Sequence, residues 1–292
     1  MTLKTKAHLS VLFANLIFSI NFSVVKFVTP GLIKPFGLNV VRVLITTSLF
    51  WLLALFEKDK GPIRKKDIGL FIFCGLTGVA INQLLFIKGI SLTYSIHGAL
   101  LMLCTPILIT IIAFFILRER ISLLRIIGLA IGISGAVMLI SAKEKSGSGS
   151  NIILGDILII CNAIAYAFYF VYVKPLMFQY SPMKVIRWVF TFGTLFILPF
   201  GWTEFIEIPW MNFGWIDYIA IAFVVFAATF LAYLLTIYGL QHLDAGATGS
   251  YIYLQPVFAA IIAIIFLNEP LSIEKIIAAL LIFVGVFLVN RK

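Results

Sequence analysis

Residues 218–243 and 245–268 contain no Asp, Glu, Lys or Arg, and residues 89–117 hold none either, only the single histidine His97. Each run is longer than the roughly 18–20 apolar residues that cross a bilayer's hydrocarbon core as a helix. The rest of the chain repeats the pattern, and ten spans are expected at about 9–28, 36–56, 68–88, 95–117, 123–141, 153–173, 183–201, 215–238, 246–267 and 273–289. The runs are apolar on every side, whereas a barrel strand alternates. The expected fold class is therefore an all-α membrane protein with ten transmembrane helices. Composition agrees: 62% of the 292 residues are hydrophobic and 12% are charged, about half the charge of a soluble domain. Ten spans leave no room for a soluble catalytic domain.

The charges that remain are sorted by position. With the N-terminus on the cytoplasmic side, fifteen bases fall in inner segments: Lys4, Lys6, Lys58, Lys60, Arg64, Lys65, Lys66, Arg118, Arg120, Arg125, Lys174, Lys184, Arg187, Arg291 and Lys292. Only Lys34, Lys143, Lys145 and Lys275 fall outside. This bias predicts that both termini are cytoplasmic. The +10 net charge is then a topology signal spread over loops that face anionic lipid. It is not a nucleic-acid patch, and no nucleic-acid partner is expected. The first span is too long for a signal peptide and reads as a retained helix. Cys74, Cys104 and Cys161 all lie in spans, without zinc spacing, so neither a metal nor a cofactor is expected.

The chain also repeats itself. Shifted by 150 residues, 84–139 aligns with 234–289 without a gap: Leu84, Leu85, Ile87 and Gly89 match Leu234, Leu235, Ile237 and Gly239. Pro106 matches Pro256, Ile111-Ile112-Ala113 matches Ile261-Ile262-Ala263, and Leu117, Glu119, Ser122 and Gly135 match Leu267, Glu269, Ser272 and Gly285. A looser match relates 8–56 to 155–201. The expected organisation is a first five-helix repeat (1–141), a Gly/Ser-rich connector (142–152) and a second five-helix repeat (153–292). Five is odd, so the second half enters the membrane inverted, as in many secondary transporters. Arg118 and Arg120 flank Glu119 in the first half; Asn268 and Pro270 replace them around Glu269, as opposite sidedness requires.

Two five-span halves, each ending in a Pro-containing span, then leucine-Glu-(Arg or Pro)-(Ile or Leu)-Ser, then a Gly-bearing last span, resemble the EamA-type transporters of the drug/metabolite transporter superfamily. The resemblance covers 8–290. It implies alternating access across a plasma membrane, with bacterial inner membrane as the expected location, and commonly the export of amino acids or other small metabolites. Relatives that carry phosphorylated sugars or nucleotide sugars define a rival. Proton-coupled multidrug members use a carboxylate in the first span, where this chain has Asn15 and Ser19.

Polar residues inside spans are functional candidates because they are costly in lipid. Asn15, Ser19 and Phe22 share one helical face, and Asn162, Tyr166 and Tyr169 repeat that spacing in span six. His97, Leu101, Thr105 and Leu108 share a face of span four, aligned with Ala247, Tyr251, Gln255 and Phe258 of span nine. Span three offers Asn82 and Gln83, aligned with Ala232 and Tyr233. The expected substrate-binding set is Asn15, Ser19, Asn82, Gln83, Thr105, Asn162, Tyr166, Tyr169, Tyr233, Tyr251 and Gln255, with helix kinks at Pro106 and Pro256. Amides would hydrogen-bond the substrate and tyrosines would wall it. Lys26 either snorkels or contacts an anion. Arg42 and Lys88 read as snorkelling bases, and His97 as an interfacial histidine. All twelve acids are expected in loops or at span ends, which makes facilitated diffusion the simplest mechanism. The partners are then a small-molecule substrate and the lipid bilayer, in a monomer or homodimer. A membrane-embedded lipid-modifying enzyme is the rival from another class; it would need paired carboxylates or clustered histidines at one depth, and His8, His97 and His242 are dispersed.

Overall fold

The computed structural model describes residues 3–56, 61–117, 123–141, 151–243, 251–269 and 271–290. Arg118–Ser122, most of the connector, Ala247, Arg291 and Lys292 lie outside the described residues. Among the described residues the chain is helical, with no strand. Helices are α1 (Leu3–Val28), α2 (Pro35–Ala54), α3 (Ile68–Gly75), α4 (Asn82–Leu92), α5 (Ser95–Met102), α6 (Thr105–Leu117), α7 (Leu123–Ser141), α8 (Ile152–Gln179), α9 (Pro182–Ile206), α10 (Trp215–Ala222), α11 (Ala232–His242), α12 (Gln255–Leu267) and α13 (Ile273–Asn290). Wider π-type turns, Leu76–Ile81 and Phe223–Leu231, join α3 to α4 and α10 to α11. Among the described residues, seven of the expected spans are long and apolar enough to cross a membrane; Ile126–Leu139 and Gln255–Leu267 are shorter apolar helices.

Local chemistry sets the starts. Asn151 caps α8 by accepting from the Leu154 amide, and Ser181 caps α9 by accepting from Lys184, with Pro182 in the first turn. The start of α2 is capped from another helix: the Glu204 carboxylate of α9 accepts from the amides of Phe36 and Gly37 at 2.7 and 2.9 Å.

The 150-residue offset reappears in the element boundaries. α4 and α11 begin and end 150 residues apart, as do α6 and α12, and α7 and α13 start that far apart. Packing pairs α2 with α9, α7 with α13, α5 with α12, α4 with α8 and α1 with α11. The paired helices run antiparallel. Gly37 meets Glu204 while Thr47 bonds Thr194 and Trp51 bonds Thr191, so numbers rise on α2 as they fall on α9. Likewise Gly132 meets Gly285 while Gly135 meets Ile282 and Ala278.

The α7–α13 crossing is closed to side chains. A Cβ added at Gly285 would lie 2.4 Å from the Gly132 amide nitrogen and 2.7 Å from the Gly128 carbonyl oxygen, and backbone cannot move aside as a side chain can. A Cβ at Gly31 meets nothing within 4 Å. Gly285→Ala is therefore expected to destabilise the detergent-solubilised protein by about 1–3 kcal/mol, against the intrinsic helix preference for alanine. Gly31→Ala should melt like the parent. A melt of Gly285→Ala at or above the parental temperature would contradict this packing.

Candidate functional site

Most of the expected polar residues lie inside the bundle. Asn15 is buried on α1; its Nδ2 donates to the Val11 carbonyl at 2.8 Å and its Oδ1 accepts from Gln255 Nε2 at 2.7 Å. That bond ties α1 to the first residue of α12. Ser19 donates to the Asn15 carbonyl. The Pro106 ring has no N–H for the Met102 carbonyl, and the Thr105 hydroxyl donates to that oxygen instead, at 2.7 Å. Both prolines sit where a helix restarts: Pro106 in the first turn of α6, after α5 has ended at Met102, and Pro256 in the first turn of α12.

Across the bundle, Asn162 Nδ2 donates to the Asn82 carbonyl at 2.5 Å, leaving Asn162 Oδ1 buried without a hydrogen bond. Gln83 is 3% exposed, and neither its amide nitrogen nor its amide oxygen has a partner. Its carbonyl accepts from Asn39 Nδ2 at 3.2 Å. Asn82–Gln83 and Ala232–Tyr233 each follow directly on a π-type segment, where one widened turn re-aims the side chains beyond it. The Tyr166 and Tyr169 rings are 5.7 Å apart, and Tyr233 stands edge-on to Phe190 at 5.3 Å and to Phe18 at 6.4 Å. Tyr169 and Tyr233 pack against the same buried apolar cluster. Gly78 makes room for Tyr169: a Cβ there would overlap the ring at 2.4 Å. Tyr251 stands apart from this group. Its hydroxyl bonds His8 Nδ1 at 3.0 Å, near the start of α1.

The far end of α1 holds a buried polar cluster. Lys26 donates to the carbonyls of Thr93 at 2.6 Å and Ser91 at 3.3 Å, where a cation suits the C-terminus of α4. Its ammonium, the anion contact considered from sequence, is engaged in joining helices. The Thr93 hydroxyl donates to Asp156 Oδ1 at 2.5 Å, and Asp156 Oδ2 bonds His97 Nδ1 at 2.8 Å; His97 and Asp156 are both 0% exposed. His97, in the first turn of α5, is thus a satisfied histidine that joins α5 to α8. Asn268 takes a left-handed conformation (φ 53°, ψ 34°), which asparagine tolerates, and ends α12 there. The Glu269 carboxylate then accepts from the Ser95 and Ile96 amides at 2.8 and 3.0 Å, capping α5. Lys275 is also buried, its ammonium 4.4 Å from the Tyr94 ring centroid. This end thus gathers α1, α4 and α5 against α8, α12 and α13. A shallow cleft of about 550 Å³ opens at the opposite end, between α1 and α11, lined by Lys6, Leu9, Ser10, Leu234, Leu235 and Tyr238.

Sequence reasoning missed three of these roles. Arg42 does not snorkel: it is 5% exposed and its Nε donates to Thr229 Oγ1 at 3.0 Å. The one sequence signal was a charge two turns inside a span. Asp156 and Glu269 act on partners 59 and 174 residues away, and no local pattern carries that. Among the described residues, no group of three or more His, Cys, Asp or Glu is placed to hold a metal.

A family model for EamA-like transporters matches residues 5–141 and again 153–291. The chain belongs to the EamA-like transporter family. Among its relatives, the uncharacterized transporter YetK of Bacillus subtilis is 28% identical over 83% of this chain and 74% of its own length. An uncharacterized transporter of Archaeoglobus fulgidus is 23% identical over 99% of both chains. A Streptantibioticus cattleyicolor protein named as a probable terminal-alkyne amino-acid exporter is 25% identical over 78% of this chain and 75% of its own. One solved crystal structure superposes with a TM-score of 0.62 at 17% identity, covering 98% of this chain and 96% of the other, a likeness of fold. The chain is thus a multi-pass member of a membrane transporter family.

The Glu269 cap yields a direct test. Glu269→Ala leaves two buried amides without their acceptor and should lower stability by about 2–3 kcal/mol. Glu269→Gln keeps one carbonyl oxygen and should lose less. Thermal melts of the detergent-solubilised variants decide; equal melts for parent and Glu269→Ala would contradict the cap.

Proposed function

We propose that this chain is a secondary transporter that moves small metabolites, amino acids foremost, by alternating access, and that it works as an exporter or facilitator rather than an enzyme. The observation that carries the proposal is Gln83, a buried amide with both polar atoms unpartnered; Asn39 Oδ1 and Asn162 Oδ1 are buried acceptors likewise left without a hydrogen bond. Leaving such a group unsatisfied costs about 1–3 kcal/mol, and a role in binding a polar solute accounts for its retention. The family and the relative named as an amino-acid exporter support the same reading.

In this proposal the two halves, 1–141 and 153–292, are inverted repeats of five helices that rock about a shared interior. The matched element boundaries and the antiparallel pairing of α2 with α9 and of α7 with α13 support that symmetry. Both termini face the cytoplasm of a bacterial inner membrane, and the Lys26–Glu269 cluster closes the outer end. Asn15, Ser19, Asn82, Gln83, Thr105, Asn162, Tyr166, Tyr169, Tyr233 and Gln255 form the substrate path, with Tyr251 at its inner mouth.

Flux and stability separate binding from packing. In proteoliposomes given a radiolabelled amino-acid panel, the parent should show saturable flux. Gln83→Met should lower that flux about tenfold while melting at or above the parental temperature, because an unsatisfied amide has been removed. Unchanged flux in Gln83→Met would remove Gln83 from the path, and no flux for any small metabolite would remove the transport proposal. A cytoplasm-active reporter fused after Lys292 should give signal; silence at good expression would reverse the topology.

A further inference from the structure

Arg42 is a base with no counter-charge. It sits two turns into α2, and among the described residues it forms no ion pair. Its Nε is held by Thr229, whose hydroxyl in turn donates to the Val224 carbonyl at 2.7 Å across the π-type segment. Its Nη1 is buried and has no hydrogen-bond partner. Tyr233 packs against the buried cluster that holds Val40 and Val43, which flank Arg42 on α2. Burying a guanidinium without an anion is among the costliest arrangements a protein can keep. An interhelical tie to one threonine needs only a neutral donor.

With Nε fixed by Thr229, the Nη edge of the guanidinium fork is left for another acceptor. That edge matches the two oxygens of a carboxylate. The neighbouring orphans include oxygen acceptors, along with the Gln83 amide nitrogen and the Thr46 hydroxyl. Asn39 Oδ1, one turn away on the same face of α2, has no partner, and Asn39 Nδ2 binds the backbone of Gln83, whose amide oxygen is also unpartnered. Oxygen acceptors one turn from a cationic fork suit an ammonium group, which has three donors. Resting on the transport reading above, we infer that Arg42 is the carboxylate-binding residue of the substrate path, and that the transported solutes are zwitterionic amino acids rather than neutral or cationic solutes. Tyr233 forms the wall beside the bound carboxylate.

The test compares acids with their amides. In proteoliposomes carrying radiolabelled leucine, unlabelled phenylalanine should compete for flux at least about tenfold more strongly than phenylalaninamide, the size of effect expected for a charge-assisted hydrogen-bonded pair. Arg42→Gln should erase that preference, and Arg42→Lys should keep part of it. Thr229→Val removes the tie but not the charge and should keep the preference, which a purely structural Arg42 would not allow. If the amide competes as well as the acid in the parent, the inference fails while transport stands. It fails equally if Arg42→Gln keeps the preference or if Thr229→Val erases it. Should Arg42→Gln not insert, the parental preference and the Thr229→Val result still decide. Absence of leucine and phenylalanine flux would overturn the inference together with the amino-acid reading.

Discussion

A backbone amide or carbonyl in lipid has no water to fall back on, so every helix that breaks inside the bilayer must find partners within the protein. Much of this structure follows from how that demand is met. α5 ends at Met102, and the Met102 carbonyl orphaned by Pro106 is taken by the Thr105 hydroxyl. The start of α5 is taken by Glu269, and the end of α4 by Lys26. The partners come from distant parts of the chain, so the helix ends that need them hold the bundle together. The Lys26–Glu269 end thus satisfies backbone groups and holds charges of both signs in one cluster.

The same demand explains where the charges ended up. Sorting bases by loop treats them as surface markers, yet Lys184 and Arg187 are buried in the first turns of α9, and Arg187 lies 4.9 Å over the Trp51 ring. Lys275 is buried against Tyr94 in the first turn of α13. These bases sit at helix ends, where their stems pack and their heads meet aromatic faces. Arg42 departs from this pattern, two turns inside a helix and anchored by a neutral hydroxyl, and that departure makes it informative.

Much of the fold was legible before the structure. Uncharged runs located the helices, and the 150-residue repeat located the boundaries of α4 with α11 and of α6 with α12, because apolar length and internal similarity are local properties of the chain. The amide and tyrosine stripes on α1 and α8 were legible for the same reason: helical periodicity puts Asn15 with Ser19, and Asn162 with Tyr166 and Tyr169. Asp156 on His97, Glu269 on α5 and Arg42 on Thr229 were not. Each depends on which helices become neighbours, and the last also on a π-type turn that periodicity arguments do not anticipate. Tyr251 shared its helical face with Gln255, but the break before Gln255 puts it in a separate short helix, Tyr251–Leu254, beside His8.

The central claim is that the two halves exchange access to one polar interior: the Lys26–Glu269 end opens as the His8 end closes. Paired spin labels test it directly. Gly31 and Leu271 are exposed positions at the first end, one in each half, and Leu55 and Phe178 are exposed positions at the other. On addition of a transported amino acid, the account predicts that the Gly31–Leu271 distance distribution gains a longer population as the Leu55–Phe178 distribution gains a shorter one. Distances that lengthen together, or that stay fixed in a preparation with measured flux, would contradict it.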